Sequence, residues 1–155
     1  MNLPIRAITL WQPWATLIAL GYKRVETRSW GTSYRGTLAI HAAARPMNKA
    51  GYALLSDLEE TYDDVTLGGI FETGAIVAIS QVIDCRLMTL EVISAQTPLE
   101  IECGLWEPGR FAWKLAGIKK LVSPIKCKGK QGLWVPDEQI RSQLTPQTEK
   151  LGAIA

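Results

Sequence analysis

Short runs of apolar and β-branched residues, separated by glycine, proline and polar turns, recur along the whole chain, and such runs are typical of β-strands. The longest covers residues 74–87. Its first half, Ile76 to Ile79, is apolar at consecutive positions, which predicts a central strand buried on both faces. The other strand candidates are residues 3–11, 23–30, 37–44, 110–122 and a last strand within 123–135.

Helical segments are few and short. Pro13 suits the first position of a helix, where its absent N–H would have no partner, and Gly21 is a natural end for that helix. Asp137 is expected to cap a short C-terminal helix. The remaining expectations are a helix in residues 47–62, a short helix and an irregular loop in 90–107, the C-terminal helix over 138–144 and a loosely ordered tail over 145–155.

Five or six strands with scattered short helices, in an order that does not alternate, predict an α+β fold built on a closed or nearly closed barrel. A chain of 155 residues is ordinary for one domain. We therefore expect a single domain over residues 1–155, with its core in about 5–135 and a short helix and tail in 136–155.

The cysteines give no sign of a metal site or a disulfide framework. Cys85, Cys103 and Cys127 are odd in number and widely spaced, and His41 is the only histidine. A zinc-dependent base deaminase would need an H-x-E and P-C-x-x-C pattern that this chain lacks. The sequence therefore predicts no metal and no cofactor.

Positive charge is concentrated in two stretches, although the formal net charge is only +2. Residues 110–130 hold seven basic residues and no acidic one, and residues 21–45 hold five basic residues with Glu26 as the only acid. If the fold joins these stretches, the resulting face attracts phosphate; otherwise they form an ordinary solvated surface. No apolar run is long enough to span a bilayer and no signal peptide is evident, so we expect no membrane partner and a cytoplasmic location.

A series of sequence blocks lies in the same order as in a known family. Residues 21–28 follow the pattern G-x-K-x-x-E-x-R. The blocks are LWQPWA from Leu10, GYKRVETRSW from Gly21, YRG from Tyr34, IHAA from Ile40, GAIVA from Gly74, GRFAW from Gly109 and KQGLW from Lys130. Over about residues 5–135 the chain resembles an ASCH domain, in the form of a small stand-alone bacterial or phage-type member. The resemblance implies a PUA-like mixed β-barrel of five to six strands flanked by short helices, and an RNA-associated role.

The resemblance also bears on catalysis. Some small family members that resemble this chain hydrolyse N4-acetylcytidine with a lysine, a threonine and a glutamate. The lysine corresponds to Lys23, but Glu26 stands where those enzymes have the threonine, and a carboxylate is not equivalent to a hydroxyl nucleophile. Thr27 is adjacent, yet strand alternation predicts it on the other face. Lys23 and Glu26 are the catalytic candidates if the chain is a hydrolase.

Lys23, Glu26 and Arg28 are the central site candidates. Glu26 and Arg28 are two residues apart on a predicted strand, so their side chains share a face and the guanidinium can orient the carboxylate. Lys23 joins them only if it lies on the turn after the helix, before regular strand geometry begins. The alternative to a functional cleft is an ion pair that closes the helix–strand corner.

Five further residues are candidates for contact with a ligand. Trp11 and Trp30 lie at strand ends beside basic residues, where either could stack on an unpaired base or pack in the core. Arg35 could hold phosphate together with Lys23 and Arg28. Gln12 belongs to the first matching block, and His41 is an acid, base or base-contacting candidate or a structural residue.

Three classes of function remain open. The first is a binding module for RNA, single-stranded nucleic acid or a modified nucleoside, in which Glu26 accepts from a base amino group. The second is a hydrolase, including a ribonuclease in which Lys23 or His41 transfers protons and Arg28 stabilises developing charge. The third is a protein-interaction domain or a regulator of transcription or translation. The sequence predicts no oligomeric state.

Overall fold

One mixed five-stranded sheet organises the protein. The computed structural model describes residues 4–69 and 71–152. The strands are β1 (Ile5–Leu10), β2 (Val25–Arg28), β3 (Gly36–Ala42), β4 (Ala75–Leu87) and β5 (Phe111–Lys126). They lie in the order β1-β3-β4-β5-β2; β1 and β3 run parallel, and every other pair is antiparallel. The sheet curls into a half-barrel, as expected for the predicted α+β, PUA-like barrel.

The prediction of a separate sixth strand within residues 123–135 is wrong. β5 continues without a break to Lys126, which pairs with Ala75 at the start of β4. The register jumps between the pairs Ile76–Ile125 and Ala78–Lys120, so Pro124 lies in an irregular part of the ladder. Proline has no N–H to donate, and a bulge is a position where a strand tolerates it. Beyond β5 the described chain returns to the sheet through a single bridge, between Trp134 and Ala7.

In the described part of the chain, five helices flank the sheet. The irregular region 90–107 contains two short helices, capped by the side chains of Thr89 and Thr97. Asp137 caps the last helix as predicted, because its carboxylate accepts from the Ile140 N–H. That helix continues to Gly152, beyond the predicted end at residue 144, even though it contains Pro146. Residues 153–155 of the predicted tail lie outside the described residues. The helices are α1 (Trp14–Ala19), α2 (Lys49–Thr61), α3 (Leu90–Ser94), α4 (Pro98–Glu102) and α5 (Glu138–Gly152).

The sheet buries apolar side chains in two main clusters. One contains Ile18 of α1 with Leu38, Ile40 and Trp113, and the other contains Leu144 of α5. The first six residues of β4 are all buried, which confirms the prediction of a strand covered on both faces. No helix in the described part of the chain has the length and apolar run that crossing a membrane requires.

Trp113 connects this core to the end of β2. Its side chain is fully buried, and its ring packs edge-on against Trp30 with 4.8 Å between ring centroids. Its indole N–H donates to the Trp30 carbonyl at 3.2 Å. The backbone that follows Arg28 is therefore fixed by a core residue.

Trp113→Phe should lower the free energy of unfolding by roughly 2 kcal/mol, because it removes the indole hydrogen bond and leaves a small cavity. Trp11→Phe is the matched control, since Trp11 is half-exposed and makes no such bond; its change should stay within about 0.5 kcal/mol. Urea unfolding followed by circular dichroism measures both. Equal effects would show that Trp113 does not fix the end of β2.

Candidate functional site

Lys23 lies on the turn between α1 and β2, the position required for it to join Glu26. Its backbone N–H still bonds to Leu17 of α1, and regular strand pairing begins only at Val25. Its ammonium lies 3.7 Å from the Glu26 carboxylate and donates to the Val25 carbonyl at 2.6 Å. The structure thus brings Lys23 to the same side as Glu26.

The Lys23 side chain is completely buried. Its ammonium lies close enough to Glu100 and Cys103 of the α4 region to act on both electrostatically. Burial raises the pKa of Glu100, and Lys23 opposes that rise. Burial also raises the pKa of the Cys103 thiol to about 11, so that thiol is protonated at neutral pH. Lys23 is therefore a buried cation that pairs with Glu26 from inside the protein.

Glu26 and Arg28 form the surface of this ion cluster. One Glu26 oxygen accepts from the Thr27 N–H at 2.9 Å, and the other accepts from the Arg28 guanidinium at 3.2 Å. The same Arg28 nitrogen also donates to the Thr9 carbonyl at 3.2 Å. Arg28 Nε is buried and makes no hydrogen bond within the described residues. Arg28 is therefore oriented by two acceptors while part of its donor capacity is unused.

Two cavities meet at Arg28. We name the first, of about 590 Å³, the helix-side cavity, because it reaches α4 and the loop that follows it. Glu26 and Arg28 both line it. Its other lining residues are Thr9, Leu10, Trp11, Trp14, Thr27, Ser29, Trp30, Leu54, Glu102, Cys103, Gly104, Leu105 and Arg110.

The second cavity, of about 720 Å³, is named the loop-side cavity, because residues 128–132 form one of its walls. Thr9, Trp11, Arg28 and Trp30 line both cavities. The residues that line the loop-side cavity alone are His41, Ala43, Ala44, Lys128, Gly129, Lys130, Gln131 and Gly132. A ligand can therefore extend from one cavity to the other past Arg28.

Trp11 and Trp30 stand at this junction. Trp11 is 47% exposed, and the Arg45 guanidinium lies 4.2 Å from the centre of its ring. Trp30 is partly buried against Trp113 and still lines both cavities. Both predicted stacking candidates are thus next to Arg28.

His41 is anchored by hydrogen bonds at both ring nitrogens. Nε2 lies 2.8 Å from the Cys127 carbonyl, which can only accept, so Nε2 carries the proton. Nδ1 then accepts from the Thr9 hydroxyl at 3.2 Å, and that hydroxyl accepts in turn from the Trp134 indole. Burial lowers the pKa of His41, in agreement with a neutral ring. These bonds give His41 a role in holding the segment after β5 against β1.

Gln12 and Arg35 lie outside both cavities. The Gln12 side chain is buried, and it accepts from the Thr16 N–H and donates to the Glu72 carbonyl. Arg35 bonds to the Thr32 and Tyr34 carbonyls, and its guanidinium lies 3.8 Å from Asp84. The structure does not bring these two candidates together with Arg28.

Several lining residues were not among the sequence candidates. Arg110, Lys128 and Lys130 line the cavities and belong to the second basic stretch, and Arg110 and Lys130 also lie in two of the matching sequence blocks. Thr27 was expected on the opposite face, but its hydroxyl accepts from the Leu105 N–H and the α4–β5 loop folds beside it. Within residues 4–69 and 71–152, no cluster of three His, Cys, Asp or Glu side chains could hold a metal ion.

The family model of the ASCH domain matches residues 8–125. Activating signal cointegrator 1 from Homo sapiens is 29% identical over 138 residues, and its Mus musculus counterpart is 29% identical over 139 residues. Each alignment covers 86% of this chain but only 22% of the relative, so the chain spans about a fifth of those proteins.

Solved structures share the fold at lower identity. The crystal structure of ASCH from Zymomonas mobilis gives a TM-score of 0.60 at 14% identity, covering 93% of this chain and 95% of that one. A serine-to-alanine mutant of the same Zymomonas mobilis protein gives a TM-score of 0.56 at 15% identity, with 95% and 98% coverage. These similarities establish the fold.

Lys23→Met should lower the free energy of unfolding by about 3–5 kcal/mol, because it removes the cation from a buried group of carboxylates. The double variant Lys23→Met/Glu100→Gln should be less destabilised than the sum of its parts. Lys114→Met, at an exposed position paired with Val25, is the control and should change little. Chemical denaturation measures wild type, Lys23→Met, Glu100→Gln, the double variant and Lys114→Met. An unchanged stability of Lys23→Met would contradict the supporting role of the ammonium.

His41→Gln should reduce the dependence of the unfolding free energy on pH below pH 6.5. Because the folded pKa of His41 lies below its ordinary 6.5, the unfolded state binds the proton first as the pH falls. The contribution of His41 is complete above pH 6.5 and is lost from there down to the folded pKa, at about 1.4 kcal/mol per unit of pH. Unfolding free energies between pH 7 and 5 should therefore converge for wild type and variant. Glu100 titrates in both proteins, so its contribution cancels in the difference between their unfolding free energies. Parallel profiles of unfolding free energy against pH would contradict a neutral His41 ring in the folded state.

Proposed function

The chain belongs to the ASCH domain family, and from that membership we propose that it binds single-stranded RNA, or a modified nucleoside, in the cleft formed by the helix-side and loop-side cavities. ASCH domains are associated with RNA binding. The observation that carries the proposal is the position of Arg28, which lies on the wall shared by both cavities with a buried, unpartnered Nε. A guanidinium held in this way is suited to planar recognition of phosphate or of a base edge.

The aromatic side chains favour the binding of an unpaired nucleic-acid strand. Trp11 and Trp30 line both cavities, and an exposed indole face stacks on any base. Base stacking of this kind requires bases that are free of a duplex. Single-stranded RNA therefore fits the cleft better than a double helix.

Polar groups in the helix-side cavity can recognise the base itself. Glu26 faces this cavity, and a carboxylate has about four acceptor sites, of which Thr27 and Arg28 use one each. A base amino group can donate to a remaining site. Arg110 also lines this cavity, and its guanidinium bonds to the Leu105 carbonyl.

The same geometry favours binding over hydrolysis. By the family resemblance, Glu26 stands where the amidohydrolases have their threonine hydroxyl, and the nearby Thr27 hydroxyl accepts a hydrogen bond from the Leu105 N–H. His41 uses both ring nitrogens in structural bonds, which leaves neither for proton transfer to a ligand. The name of the relative Activating signal cointegrator 1 suggests a regulatory setting, in which a binding module needs no chemistry of its own.

Arg28→Gln should weaken binding of a short fluorescent single-stranded RNA at least roughly tenfold, a loss of about 1.4 kcal/mol. Arg86→Gln is the matched control, because Arg86 is exposed and lines neither cavity. Fluorescence anisotropy over a range of salt concentrations gives both affinities. Wild-type binding should weaken as salt rises, and Arg28→Gln should show a shallower salt dependence.

Three results would count against the proposal. Equal losses in Arg28→Gln and Arg86→Gln would mean that charge alone, and not the cleft, attracts the RNA. Absence of RNA binding by the wild type would favour a protein-interaction role. The same RNA is recovered after incubation and run on a denaturing gel, where cleavage by wild type would favour a ribonuclease.

A further inference from the structure

The two cavities differ in charge. The helix-side cavity contains two carboxylates, Glu26 and Glu102, beside Arg28 and Arg110. The loop-side cavity contains Arg28, Lys128 and Lys130, and none of its lining residues in the described chain carries a carboxylate. The loop-side cavity is therefore the part of the cleft that favours an anion.

The loop of residues 128–132 is also held close to the sheet. A Cβ atom on Gly129 would lie 2.5 Å from the Thr9 hydroxyl and 2.6 Å from the His41 ring, so only glycine permits this approach. His41 itself bonds to Cys127 at the base of the loop. The two lysines that flank Gly129 thus emerge from a backbone that is fixed against the floor of the cavity.

Backbone donors in this loop are unused. Between Lys128 and Gly132, no backbone N–H donates a hydrogen bond to another described residue. N–H groups without a partner in the protein remain available to solvent or to a bound anion. The two ammonium groups and Arg28 are charged donors of the kind that a phosphate accepts.

We propose that the loop-side cavity is a phosphate subsite, and that the unit recognised by this protein is a nucleotide whose base lies in the helix-side cavity. The assignment rests on the proposed function and specifies the ligand further. The Glu26 carboxylate and the indole of Trp14 line only the helix-side cavity, where they suit a base, whereas the loop-side cavity has basic side chains without a carboxylate among its described lining residues. Arg28, on the shared wall, contacts the ligand between base and phosphate.

The test compares nucleoside monophosphates with the matching nucleosides. The four common ribonucleosides and their 5′- and 3′-monophosphates compete against the fluorescent RNA for wild type, Lys128→Gln/Lys130→Gln and a control. The control is Lys114→Gln/Lys120→Gln, which removes the same charge from exposed positions of β5. Lys128 and Lys130 are also exposed, so their replacement should not disturb folding.

At least one monophosphate should bind wild type and the control roughly tenfold or more tightly than its nucleoside. This preference should vanish in Lys128→Gln/Lys130→Gln, whose affinity for the nucleoside stays at the wild-type level. Equal binding of nucleosides and monophosphates by wild type, or an equal loss of preference in both double variants, would overturn the subsite while RNA binding through Arg28 stands. If the wild type does not bind the RNA at all, the proposed function fails and the subsite fails with it.

Discussion

The buried ammonium of Lys23 is the interaction on which the cleft depends. It joins three parts of the chain, because it lies on the α1–β2 turn, contacts Glu26 of β2 and acts on Glu100 of α4. Removing a cation from such a cluster leaves carboxylates buried without a compensating charge. The resulting loss of stability is larger than the stability that an exposed ion pair contributes. The α4 region that closes the helix-side cavity is therefore positioned by the same charge that orients Glu26.

From Glu26 the polar contacts continue across the sheet. Glu26 accepts from Arg28, Arg28 donates to the Thr9 carbonyl, and the Thr9 hydroxyl lies between Trp134 and His41. His41 then bonds to Cys127, immediately before the loop that carries Lys128 and Lys130. One connected network of hydrogen bonds and ion pairs thus supports both cavities, so a substitution at either end is expected to affect the geometry at Arg28.

Local sequence patterns predicted the parts of this arrangement that depend on neighbouring residues. Strand alternation placed Glu26 and Arg28 on one face, whereas Lys23 could join them only from the turn after α1, and it does lie there. Local patterns could not predict the complete burial of Lys23, because that burial depends on the distant helix α4. Glu100 of α4 accepts from the Arg24 N–H, and the two residues are 76 positions apart in the sequence. The role of Thr27 also depends on a distant loop. The long β5 was missed because Pro124 indicates a break in a strand, whereas the sheet accommodates it through a shift of register.

The balance of charge in the cluster explains how Arg28 can serve a ligand while it is already paired. Glu26 lies between two cations, with the Lys23 ammonium at 3.7 Å and the Arg28 guanidinium at 3.2 Å from its oxygens. Its single negative charge is shared between them, so it does not neutralise Arg28 completely. A carboxylate paired with Arg28 alone would compete directly with a phosphate for the same guanidinium. The buried lysine therefore limits how far Glu26 neutralises Arg28 at the junction of the two cavities, although Lys23 lines neither of them.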